Sequence, residues 1–172
     1  VASITMADLK AVTQSLLHCG AAIQEINTVR KHLSSIQGGR LAAACAARIH
    51  ALVISDVTGD DPTHIASGPC SPDPTTFQDA VEILNRFDVK PPPAVLRHLI
   101  AGLRGERDET PKPGDPRLQH CETKMIATAL GSLEAAAAVA RAAGYAPLML
   151  GDSIEGEARD VALVHAGVAR HV

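Results

Sequence analysis

Apolar positions along the chain change their period several times, and the changes divide it into elements. Leu9, Val12 and Leu16 recur at helical spacing after Thr5 and Asp8, a pair three apart that reads as a capping box, and Gly20 offers a stop. The pattern predicts a helix over 6–19. Ile23, Ile26, Arg30 and Leu33 form one stripe over 21–34, and an Ala-rich run after Gly38-Gly39 predicts a short helix reaching about Arg48. Residues 51–57 (ALVISDV) then form a short apolar run with Asp56 near its end, the pattern of a buried parallel strand that delivers a polar group to its carboxyl edge.

From 58 to 74 the text TGDDPTHIASGPCSPDP holds four prolines and two glycines, too broken for regular structure, and a loop of that length in a compact domain is usually functional. Thr76 and Asp79 cap a further helix with the face Phe77, Ala80, Val81, Leu84 and Phe87, and Pro91–Pro93 separate it from a helix through Leu96, Leu99 and Leu103. A second polar excursion covers 104–122. After it the pattern predicts strand 123–128, helix 132–143 ended by Gly144, strand 145–150, and a last helix from about Ile154 to Val172. Strands alternating with helices predict an α/β fold, a Rossmann-like three-layer α/β/α arrangement with a mostly parallel sheet. Three strands are few for such a sheet, so the expectation is that it is incomplete in this chain. The start without Met and the last helix without a C-cap signal lead to the further expectation of an internal piece of a longer domain.

Composition narrows the function. Net charge −3 and 2% aromatic residues without Trp give neither the electrostatics nor the stacking surface for nucleic acid. Mean hydropathy of +0.08 and the lack of an ~18-residue apolar run leave no membrane span. Cys19, Cys45, Cys70 and Cys121 follow no metal-ligand spacing, and a reducing cytoplasm is the expected setting.

Chemistry concentrates in two places. Asp56, Asp60 and Asp61 lie within six residues at a strand end, where open α/β sheets bind ligands, and Mg²⁺ suits one or two carboxylates with phosphate oxygens and waters. Gly-Asp-Asp-Pro is equally good turn chemistry, and His64 nearby could be a ligand or simply solvated. Ser67 and Gly68 permit close approach to an anion, or form a plain turn before Pro69. Asn27, Arg30 and Lys31 fall on one side of a helix, either as an anion-handling group or as a solvated basic face. Gly38 and Gly39 could leave amides free for an anion or cap the preceding helix. Neither GxGxxG nor a P-loop occurs.

Four stretches, INTVRKHLSSIQGGRLA (26–42), LVISDVTGDDPTHIASGP (52–69), ETPKPGDPRL (109–118) and LGDSIEGEARDVALVHAGVA (150–169), resemble the N-terminal domain of the class II, MOFRL-type glycerate 2-kinases, a family also called hydroxypyruvate reductases. The resemblance implies ATP- and Mg²⁺-dependent phosphorylation of D-glycerate at its 2-hydroxyl, in a cleft between a Rossmann-like domain and a MOFRL domain. It implies catalytic roles for Arg30, Lys31 and Asp56, substrate or nucleotide binding by Asn27, Gly38, Gly39, Ser67 and Gly68, and metal binding by Asp60 and Asp61. Gln37, Thr58 and Cys70 depart from the residues usual at those places. The family's glycine-rich turn, its active-site lysine and the MOFRL domain have no counterpart in this text, so the expected partners are D-glycerate, the remainder of the polypeptide and a second copy in a homo-oligomer. Two other readings stay open: an NAD(P)H-dependent hydroxypyruvate reductase, and a non-catalytic ion-binding module.

Overall fold

The computed structural model describes residues 4–154 and 156–171, in the order α1 (Met6–His18), α2 (Ile23–Leu33), α3 (Arg40–Ala43), β1 (Ile49–Ile54), α4 (Phe77–Arg86), α5 (Pro93–Leu103), β2 (Cys121–Ala127), α6 (Ala129–Ala142) and α7 (Ala158–Ala169). Local capping explains the helix starts. Thr5 and Thr76 each accept from the backbone three residues on while Asp8 and Asp79 reach back, and Thr128 accepts from Gly131 N–H. That last cap starts α6 at Ala129, earlier than the sequence pattern predicts.

The hydrophobic core is built by helices. Val12 and Leu16 of α1, Ile26, Val29 and Leu33 of α2, Phe77, Ala80, Ile83 and Leu84 of α4, and Val95 and Leu99 of α5 form one buried cluster. Phe77 is its pivot: it packs edge-on against both His32 and His98. The ring lies so close to α5 that a Cβ at Gly102 would stand 2.3 Å from Phe77 Cγ.

β1 and β2 pair in parallel from Ile49↔Cys121 to Ile54↔Ala127, with a register shift between Val53 and Ile54. The α/β class is as expected, and among the described residues the sheet has two strands. The predicted strand over 145–150 is not one. Its residues are mostly exposed, and no neighbouring strand takes up their backbone groups. β1 begins two residues earlier than the sequence pattern predicts and ends at Ile54, where Ser55 Oγ and Val57 exchange hydrogen bonds in a local turn. Asp56 therefore sits just past the strand. The Ala-rich segment is helical only to Ala43, and the final helix starts at Ala158; Glu155 and Val172, part of the predicted span, lie outside the described residues. Leu52 and Ile54 on the sheet, Val139 on α6, and Leu163 and Val164 on α7 are all exposed. Parallel sheets are ordinarily covered on both faces, so this half of the chain presents unpartnered apolar surface.

Candidate active site

Two parts of the chain meet in one groove of about 570 Å³. Asn27 and Arg30 of α2 form one wall, Asp56, Val57 and Thr58 just past β1 form another, and His64 and Ser67 of the following loop close it. The helical register accounts for the first wall, since residues three apart stand one above the other.

The loop is sewn onto α2 and α3. Asn27 Nδ2 donates to the His64 carbonyl at 3.4 Å, and Ser67 Oγ donates to Asn27 Oδ1 at 3.1 Å. Gly38 N–H donates to the Ser67 carbonyl at 3.0 Å, Gly39 N–H to the Gly68 carbonyl at 2.7 Å, and Gln37 Nε2 to the Ala66 carbonyl at 3.4 Å. These bonds hold three successive left-handed residues, Ala66 (φ 51°), Ser67 (φ 59°) and Gly68 (φ 58°). The first two each carry about 1–2 kcal/mol of steric cost in that conformation, and strain of this kind collects at ligand sites.

Several sequence-based placements change. Gly38 and Gly39 do not offer free amides, because both donate to the loop. Their role is close approach: a Cβ at Gly38 would meet Thr110 Cγ2 at 2.9 Å, and one at Gly39 would meet the Ser71 carbonyl oxygen at 2.9 Å. Ser67 is 2% exposed, with its hydroxyl proton donated to Asn27 Oδ1. Lys31 does not share the groove with Asn27 and Arg30. Successive helix residues are turned by about 100°, which carries Lys31 into the interior, 1% exposed, with Nζ 3.2 Å from Asp73 Oδ1.

Asp73 lies in the proline-broken loop, and no local pattern flags it, because Lys31 is 42 positions away. Burial pushes its carboxyl pKa up, but hydrogen bonds from Thr75 and the charges of Lys31 and His32 outweigh that and hold it below the usual carboxylate range.

The three acidic residues separate. Asp56 is exposed and lines the groove; Asp60 and Asp61 do not. Asp60 occupies a left-handed turn (φ 54°) with its N–H on the Val57 carbonyl. Asp61 Oδ1 accepts from Thr63 N–H at 2.8 Å, and its Oδ2 is 3.8 Å from His64 Nε2. Burial raises the Asp61 pKa, but the Thr63 hydrogen bonds and the neighbouring His64 and Lys31 bring it below the ordinary value. Among the described residues no three His, Cys, Asp or Glu side chains are grouped to hold a metal ion, and of the expected metal pair Asp61 already has Oδ1 on Thr63 N–H.

Comparison with known proteins places this geometry in context. Residues 1–100 match the family model described as a domain of unknown function, DUF4147. The chain is 50% identical over 98% of its length to an Agrobacterium vitis protein that bears the name hydroxypyruvate reductase, covering 42% of it. It is 42% identical over 98% of its length to the glycerate 2-kinase of Pyrococcus horikoshii, covering 38% of that protein. Among solved structures, one from Pyrococcus horikoshii superposes with a TM-score of 0.73 at 44% identity, covering 95% of this chain and 37% of that one. The glycerate kinase of Thermotoga maritima superposes with a TM-score of 0.69 at 36% identity, covering 84% and 33%. The chain thus spans about two fifths of the curated relatives it matches.

Proposed function

The chain belongs to the DUF4147 family, and on that premise we propose that it forms one wall of the cleft of an ATP-dependent kinase that phosphorylates D-glycerate at its 2-hydroxyl. One observation carries the reading: among the described residues Arg30 is the only Lys or Arg lining the groove, and it shares that groove with Asp56 from a different segment. A guanidinium fork suits a carboxylate or phosphate, and a carboxylate beyond a strand end is placed to accept the proton of an attacking hydroxyl. Asn27 and Ser67 act indirectly, by holding the strained loop against α2. ATP supplies the phosphoryl group when bound. No step is assigned to Mg²⁺; among the described residues Asp56 is the one carboxylate that lines the groove, where it could touch a nucleotide-bound cation.

In this reading the rest of the polypeptide, further segments that include a MOFRL domain, would complete the cleft and cover the exposed sheet. The four cysteines are free thiols, which suits a reducing cytoplasm. No helix among the described residues is long and apolar enough to cross a membrane. The reductase reading rests on a relative's name, and the chain carries no dinucleotide fingerprint for it. The test is a coupled assay on this chain joined to those further segments: ADP release dependent on D-glycerate supports the kinase, and NADPH oxidation dependent on hydroxypyruvate without ADP release refutes it.

A further inference from the structure

A second groove, of about 400 Å³, opens between the end of α2, α3 and the 107–117 segment, and shares no lining residue with the groove of Arg30 and Asp56. Arg40, His98, Arg107, Asp108 and Arg117 are among its lining residues. Gly39, left-handed at φ 79°, turns the chain so that Arg40 starts α3 and reaches across to the second polar excursion. There Arg40 Nη2 donates to the Asp108 carbonyl at 2.9 Å. Its Nε is buried without a partner, and no carboxylate pairs with its guanidinium among the described residues. Desolvation by burial lowers its pKa, partly offset by Glu109, Asp108 and Asp73, yet a guanidinium remains charged. A half-buried cation with an unused donor is completed by an anion.

His98 adds the complementary defect. It is 7% exposed, and its Nε2 lies 2.9 Å from the His32 carbonyl. A carbonyl only accepts, so Nε2 carries the hydrogen and Nδ1 keeps a lone pair, and Nδ1 has no partner. Burial, together with the charges of Arg107 and Arg40, lowers the pKa of this imidazole, against the opposing effect of its hydrogen bond to the His32 carbonyl. Two residues that line the groove, Arg40 and His98, thus each keep a buried polar atom without a partner, a donor on one and an acceptor on the other, and two further arginines line it with them. Arg107 makes no ion pair among the described residues, whereas Arg117 pairs with Asp115. The opposing charges are Asp108, which is exposed, and Glu109, whose oxygens are already taken by Phe77 N–H, His32 and Lys112.

We propose that this groove binds inorganic phosphate in its hydrogen-bearing form, with Arg40, Arg107 and Arg117 on the charged oxygens and His98 Nδ1 accepting the P–O–H. The site is independent of the kinase reading, since it uses none of the same residues. The probe is inorganic phosphate added to the 172-residue chain at neutral pH and constant ionic strength, followed by NMR at the His98 imidazole resonances. Saturable shifts are expected, with sulfate, which keeps no proton at that pH, binding about tenfold more weakly. Arg107→Gln, at an exposed position where folding is not at stake, should weaken phosphate about tenfold, and Asp108→Asn should tighten it. Flat His98 shifts, equal binding of sulfate, or an Arg107→Gln variant that binds phosphate as tightly as the parent chain would each overturn the assignment.

Discussion

Arg30 and Lys31 are neighbours in sequence with opposite fates, and each fate carries a prediction. Arg30 keeps its charge on the open groove, so Arg30→Ala in the chain joined to its relatives' further segments should lower turnover by about a hundredfold, the scale of a lost transition-state donor. Steady-state kinetics checks this; wild-type turnover removes Arg30 from the reaction. Lys31 is locked to Asp73, and Asp73→Asn should destabilise the fold by about 3–5 kcal/mol, because it strands a buried ammonium. The same pair sets an acid limb. The folded Asp73 pKa lies below its ordinary value of 3.8, so its stabilisation is complete above that pH and drains away as pH falls through the lowered folded pKa. Glu109, held below 4.5 despite its burial by Phe77 N–H and Lys112, acts in the same direction. Thermal unfolding from pH 7 to 3 should show a loss beginning near pH 4 that Asp73→Asn reduces. An unchanged acid limb in that variant would assign it elsewhere. None of this was legible locally: the motif marks Lys31, but its partner lies 42 positions on, in a proline-broken stretch whose fold depends on long-range contacts.

Elements whose signals are local were the readable ones. Four helices of the core follow from caps and apolar stripes contained within a dozen residues: α1 and α2 stand within two residues of the spans 6–19 and 21–34, and α4 and α5 form where their apolar faces lie. Strand ends were less readable, because β1 and β2 are defined by each other across about seventy residues, and 145–150 has the composition of a strand without a neighbour to pair with. The packing of α4 on α5 gives a clean test of the core. Gly102 faces the Phe77 ring so closely that Gly102→Ala must displace it, an overpacking cost of about 1–3 kcal/mol. Urea unfolding measures it; a neutral substitution would mean that the Phe77 contact with α5 is looser than described.

For the whole molecule, the distribution of apolar surface matters more than any one contact. The helical core is closed, whereas Leu52, Ile54, Val139, Leu163 and Val164 are exposed on and around a two-stranded parallel sheet. Such a sheet has unpaired edges and uncovered faces, so the 172-residue chain should self-associate with rising concentration. Sedimentation should reveal this, and a monomer at all concentrations would contradict it. Phosphoryl transfer depends on positioning and charge stabilisation by groups held at once, and this chain spans about two fifths of the relatives it matches. The most direct measurement is ADP release from ATP with D-glycerate, run side by side on the 172-residue chain and on the chain joined to those further segments. The account predicts turnover from the joined protein, its loss on Arg30→Ala, and none from the chain by itself. Equal turnover from both, or glycerate-independent ADP release from the joined protein, would contradict it.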